Sequence, residues 1–184
     1  MPSSSTPRLR IESASLPLAS RRLGRSDETW LTQVCVRLRL VETHLALVSA
    51  LEVVQVDHLQ MSVKLGPTEI DAMYLVIEET GAAGAAGAAG TGATREVLLT
   101  CEAKGRSDDI LEGQVVSQVR SAFGLSDTGQ DRVVPVAVKA VGPSEVFVVE
   151  FEAVGRAEAD DLEDLQVASS AVYELVPPVP GIGE

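Results

Sequence analysis

Glu102 and Lys104 stand one small residue apart at the end of the apolar run LLTCEAK, residues 98–104 of a 184-residue chain. Lysine is scarce here, with three (Lys64, Lys104, Lys139) against twelve arginines, so its appearance two residues after a glutamate asks for a reason. Alternate side chains of a strand share a face, which makes Glu102 and Lys104 project together. Asp71 sits in the middle of a second strand-like stretch, EIDAMYL, between Ile70 and Ala72. If the two strands pair as a hairpin, Asp71 lies beside Glu102, and two carboxylates and one ammonium meet within a few ångströms. Carboxylate pairs of this kind hold Mg²⁺, a hard cation that prefers oxygen ligands and keeps several waters. A bound dication acidifies its water and offsets charge on a phosphate, so the chemistry indicated is phosphodiester hydrolysis, with Mg²⁺ or, as a substitute, Mn²⁺ on Asp71 and Glu102. Lys104 either stabilises charge in the transition state or orients and deprotonates water. Neighbouring carboxylates raise its pKa, which favours charge stabilisation over the role of base. Taken alone, a Glu-x-Lys triplet is usually an exposed ion pair. Its place at the end of a β-rich run, after an acidic strand, favours the catalytic reading.

The elements that must position these groups read in the order α, β, β, β, α, β, β, α. Apolar residues at Trp30, Val34, Leu38, Val41, Leu45 and Val48 recur at helical spacing, predicting a helix over 27–50 capped by Ser26. The local alternation in VCVRLRL also suits a strand. Residues 51–65, 68–79 and 95–104 read as three strands, the first two joined by the Gly66-Pro67 turn. Between the second and third lies the uncharged Gly-Ala repeat 81–94, read as a surface hairpin insertion. Its GTG is not a nucleotide loop, because no GKS or GKT follows. A helix is expected over 107–124, started by Asp108 or Asp109 and ended by Gly124, with Leu111, Val115, Val119, Ala122 and Phe123 on its apolar face. Strands at 132–141 and 145–154 follow, then an acidic amphipathic helix at 158–175 and a Pro-rich tail. Glu69 shares Asp71's face and is a candidate further ligand.

Taken together, EID…CEAKGR and the helix carrying GQVVSQV resemble the PD-(D/E)xK nuclease superfamily, across roughly residues 27–155. Asp71 matches the motif's aspartate, Glu102 its second acid and Lys104 its lysine. Ile70 stands where the name-giving motif has proline, and the Gly-Ala insertion stretches the Asp-to-Glu spacing to 31 residues. The resemblance implies an α/β, restriction-endonuclease-like core of αβββαβ order, a central mixed β-sheet flanked by helices. It also implies a supporting polar residue on the helix after the motif, Gln114 before Gln118, and a possible glutamate from the first helix, Glu28 or Glu42. Arg106 has two readings, a phosphate contact or an ion pair with Asp108 or Asp109. His44 and His58 are read as structural.

Composition bounds the rest. The length and a 45% hydrophobic content fit one globular domain, with no apolar stretch approaching the roughly 20 residues of a membrane span. The first 26 residues lack the apolar segment of a secretory signal and read as a flexible basic arm. Cys35 and Cys101, both flanked by apolar residues, read as free buried thiols of a reducing cytoplasm. The net charge is −12, and residues 145–184 hold ten acidic residues against Arg156, a net of −9. That balance counts against a strong autonomous DNA binder and predicts that trimming or neutralising the acidic tail strengthens DNA binding. The reading reached is a Mg²⁺-dependent DNA endonuclease of restriction or defence type, working as a homodimer or within a larger complex. The alternatives are a repair or junction nuclease and a non-catalytic subunit that keeps the fold to bind partners.

Overall fold

The computed structural model describes residues 1–22, 24–80, 93–125 and 129–183. In chain order the elements are β1 (Arg8–Glu12), α1 (Leu18–Arg22), α2 (Glu28–Arg37), α3 (Leu40–Leu47), β2 (Val53–Leu65), β3 (Thr68–Glu79) and β4 (Thr94–Lys104). Then come α4 (Glu112–Phe123), β5 (Arg132–Gly142), β6 (Glu145–Phe151), the two-residue β7 (Val154–Gly155), one 3₁₀ turn (Arg156–Glu158) and β8 (Val167–Val176). The strands form one mixed sheet in the order β1-β8-β6-β5-β4-β3-β2, with β7 on β5. The expected α/β class and central mixed sheet flanked by helices are therefore present. β2, β3 and β4 form an antiparallel meander, while β4 and β5 run parallel across α4, because a parallel pair needs a crossover connection. Most of the Gly-Ala insertion, 81–92, lies outside the described residues.

Helices cover both faces. α2 and α3 pack Leu31, Val34, Cys35, Leu40, Val41 and Leu45 against Tyr74, Val76, Leu99, Cys101, Val136 and Val148. On the other face α4 packs Val119, Ala122 and Phe123 against Met73, Leu98 and Val133. β4 and β5, covered on both sides, are buried almost throughout, which explains why they read as unbroken apolar runs rather than alternating ones.

Five expectations need correction. The helix expected over 27–50 is two helices, broken at Arg39, whose φ of 55° is left-handed. Leu38, Leu40 and Val41 are all buried, more than one straight helical stripe can turn inward, and the break re-aims the chain. The cap is Asp27, which accepts from the Trp30 N–H, rather than Ser26. The helix expected from 107 starts only at Glu112, because Asp108 and Asp109 serve Lys139: its buried ammonium donates to the Asp108 carbonyl and lies 3.6 Å from Asp109 Oδ1.

The acidic helix expected at 158–175 is a loop followed by β8. Apolar spacing that joined Leu162 and Leu165 to Val172 spanned two segments, and pairing with β6 on one side and β1 on the other overrides it. The acids Asp160, Asp161, Glu163 and Asp164 are exposed as expected, but on a loop, and Glu158, also exposed, ends the 3₁₀ turn. Arg120 holds that loop through the carbonyls of Ala159, Asp160 and Leu162.

Finally, the expected flexible arm supplies the edge strand β1, parallel to β8. Leu9 and Ile11 pack on the core, and Arg8 and Arg10 pair with Glu145 and Glu174. The basic start and the acidic end of the sequence thus neutralise each other in part.

Candidate active site

Backbone pairing of β3 and β4 reaches Ala72–Cys101. One step beyond, Asp71 continues the contact with its side chain, Oδ2 accepting the Ala103 N–H at 2.8 Å. This fixes the carboxylate beside Glu102. Glu102 and Lys104 share a face of β4, as alternation requires, and Lys104 Nζ lies 2.7 Å from Glu102 Oε1. The hairpin geometry expected from the sequence therefore brings Asp71, Glu102 and Lys104 together. They line one cleft of about 550 Å³, which is closed on one side by Pro67 of the β2–β3 turn with Thr68 and Glu69 at the start of β3, and on the other by α4 (Gly113, Gln114, Ser117, Gln118).

Glu28, in the first turn of α2, completes the wall and lies 3.4 Å from Lys104 Nζ. Of the two glutamates weighed for the first helix, it is the one at the cleft. Glu42 pairs with Arg39 at 3.5 Å and does not line it. The two glutamines of α4 divide differently from expectation. Gln114 is exposed on the cleft rim. Gln118, one turn later and 1% exposed, donates from Nε2 both to the Glu69 carbonyl, at 2.9 Å, and to Glu102 Oε2. The sequence signal for Gln118 was its place four residues after Gln114 among Val115, Val116 and Val119, a polar residue on a buried stripe. Glu69 lines the cleft, but its carboxylate lies 3.9 Å from Lys64. Arg106 makes no ion pair with Asp108 or Asp109 and instead donates to the Gly183 carbonyl at 2.9 Å.

The electrostatics follow from crowding. Burial first, and then the charges of Glu102 and Glu28, push the Asp71 carboxyl up to about 6, against the lowering effect of the Ala103 hydrogen bond and Lys104. For Lys104, burial acts downward, but the hydrogen bond and charge of Glu102 and the charge of Glu28 outweigh it and hold the ammonium above its ordinary pKa. Lys104 is thus protonated at neutral pH, suited to charge stabilisation and not to proton abstraction.

Among the described residues, no group of three or more His, Cys, Asp or Glu gathers as a metal centre. The cleft still fits a hydrated hard cation on two grounds. Its donors are carboxylate oxygens, and the buried Gln118 Oε1 has no hydrogen-bond partner, a vacancy that a coordinated water's O–H can fill. Because Asp71 must ionise to serve as a ligand, Mn²⁺ affinity measured by calorimetry should fall about tenfold between pH 7.5 and pH 5. Unchanged affinity across that range would exclude Asp71 as a ligand.

Neither histidine lines the cleft. His44 is buried, with Nδ1 3.1 Å from Tyr173 Oη and Nε2 2.8 Å from Ser169 Oγ, which in turn contacts Glu150. Burial lowers its pKa to about 4, so it is neutral in the fold. His58 stacks edge-on to Tyr74. Cys35 and Cys101 are free and buried. No helix among the described residues is long and apolar enough to cross a membrane.

Comparison of the chain with protein-family models, with curated proteins and with solved structures gave no match.

Proposed function

We propose that the protein is a Mg²⁺-dependent DNA endonuclease of the PD-(D/E)xK kind, hydrolysing phosphodiester bonds in the cytoplasm. The observation that carries this reading is the convergence of Asp71, Glu102 and Lys104 in one cleft at the end of the β3–β4 pair. The order of helix pair, three-stranded meander, crossover helix and parallel strand gives further support.

Asp71 and Glu102 would hold the cation, which when bound acidifies a water and offsets charge on the phosphate. The Ala103 N–H fixes Asp71, and Gln118 and Lys104 fix the two oxygens of Glu102. A preset carboxylate pair loses little conformational freedom on binding. The Lys104 ammonium faces the charge that builds on the phosphate as water adds to phosphorus and the bond to one sugar oxygen breaks. Glu28 shares Lys104 with Glu102 and sets how much of that positive charge is available to substrate. Cutting both strands of a duplex needs two such sites or two visits by one, so a homodimer fits. The end strand β2, which exposes Val54 and Leu59, is the surface that suits it.

Plasmid DNA incubated with Mg²⁺ or Mn²⁺ tests the reading. Wild type should convert supercoiled plasmid to nicked and linear forms, and Lys104→Ala should be slower by about a hundredfold. Equal rates for the two proteins would refute it. One observation favours the runner-up, a non-catalytic subunit of a larger assembly: both oxygens of Glu102 already have partners within the chain. Complete inactivity of wild type with either metal would select that reading.

A further inference from the structure

We infer that a second cavity, beside the catalytic cleft, receives an unpaired nucleobase of the strand being cut, so that single-stranded segments are preferred to duplex. This inference rests on the nuclease reading above. The cavity measures about 640 Å³, within the roughly 300–1,000 Å³ of small-molecule sites. Glu28 lines both cavities, and the second begins at Gly105, the residue after Lys104. A strand with one phosphate at Lys104 therefore presents its neighbouring nucleotide here.

The lining suits a base better than a phosphate. Leu31, Ala140 and Ile182, all buried, form an aliphatic floor for a flat apolar ring. Gly105 and Gly181 add walls without side chains. The rim carries the carboxylates of Asp27, Glu28 and Asp108, which accept hydrogen bonds from the exocyclic amines of cytosine, adenine and guanine and repel a phosphate. Arg106, on the same rim, has Nη1 committed to the Gly183 carbonyl. A base stacked and paired in a duplex presents neither its faces nor its Watson–Crick edge. One outside the stack presents both.

The test is fluorescence anisotropy on the full chain, with labelled oligo-dC and its blunt duplex with oligo-dG as probes and Ca²⁺ in place of Mg²⁺ to occupy an oxygen site. Wild type should bind the single strand at least about tenfold more tightly than the duplex. Ser107→Trp, on the exposed rim, should fill the cavity and abolish that preference without lowering the melting temperature. Ser26→Trp, at another exposed lining residue, provides the same test if the first variant folds poorly. Duplex bound as tightly as single strand, or a preference untouched by both substitutions, overturns the inference. Plasmid cleavage separates the two readings. Lys104-dependent cutting without single-strand preference removes the base site alone. A preference sensitive to Ser107→Trp in a protein that never cuts removes the nuclease reading alone.

Discussion

Asp71→Asn should lower Mg²⁺-dependent cleavage by about a hundredfold or more while leaving the protein at pH 7.5 at least as stable as wild type. The two effects have one cause. The folded Asp71 carboxyl titrates near 6, above its ordinary value of 3.8, because burial and the charges of Glu102 and Glu28 oppose its ionisation. A raised carboxyl pKa means that the folded state binds the proton more tightly than the unfolded chain does. The stability this gives is fully present below about 3.8 and is lost as pH rises through about 6. At pH 7.5 the ionised Asp71 therefore works against folding. Asparagine keeps an oxygen for the Ala103 N–H, now at 2.8 Å, and removes the charge. Thermal melts at pH 7.5 should show the melting temperature of Asp71→Asn held or raised, and the difference from wild type should shrink toward pH 4. An aspartate kept for structure would behave oppositely, losing stability on substitution with cleavage intact. A melting temperature that falls sharply at pH 7.5 would remove the main physical reason for calling Asp71 functional.

Deleting residues 177–183 should lower the melting temperature by about 10 °C or more, or leave the chain unfolded. The tail looked dispensable by composition, an acidic, Pro-rich end whose removal ought to strengthen DNA binding. In the fold it is a strap. Val179 and Ile182 are each 1% exposed, and burial of side chains this size is worth about 1.5–3 kcal/mol apiece. The Ser144 N–H donates to the Ile182 carbonyl at 2.8 Å, and the Trp30 indole N–H donates to the Pro180 carbonyl at 2.9 Å. Leaving buried donors unpaired costs about a further 1–3 kcal/mol each. The sum approaches the roughly 5–15 kcal/mol by which domains are stable at all. Circular dichroism melts of the shortened chain decide the matter. A shift of only a degree or two would show that the strap is peripheral. Trp30 lies in α2 two residues after Glu28, and Arg106 binds Gly183 just beyond Lys104, so a weakened strap should also loosen both sides of the cleft.

Local chemistry and alternation made much of the site legible. Asp71, Glu102 and Lys104 follow from two strands and a hairpin, since a strand's period of two leaves no choice about which residues share a face. The three strands over 51–104 and the helix after Lys104 were written in β-branched runs and in the stripe Val115, Val119, Ala122. What the sequence could not decide depended on partners distant along the chain. RLRIE at 8–12 is an arm until β8 lies beside it. VASSAVYELV at 167–176 is as good a helix as a strand until β6 and β1 supply the two rows of backbone hydrogen bonds that hold it. Gln118 rather than Gln114 reaches Glu102, because the crossing of α4 over β4 chooses which turn faces the carboxylate. Glu28 joins Lys104 because α2 starts beside the end of β4, some 76 residues away along the chain. Periodicity is a property of neighbours in sequence and survives in any fold that buries one face. Edge pairing, helix crossing and the strap's closure are set by contacts whose loop-closure cost only the whole core repays.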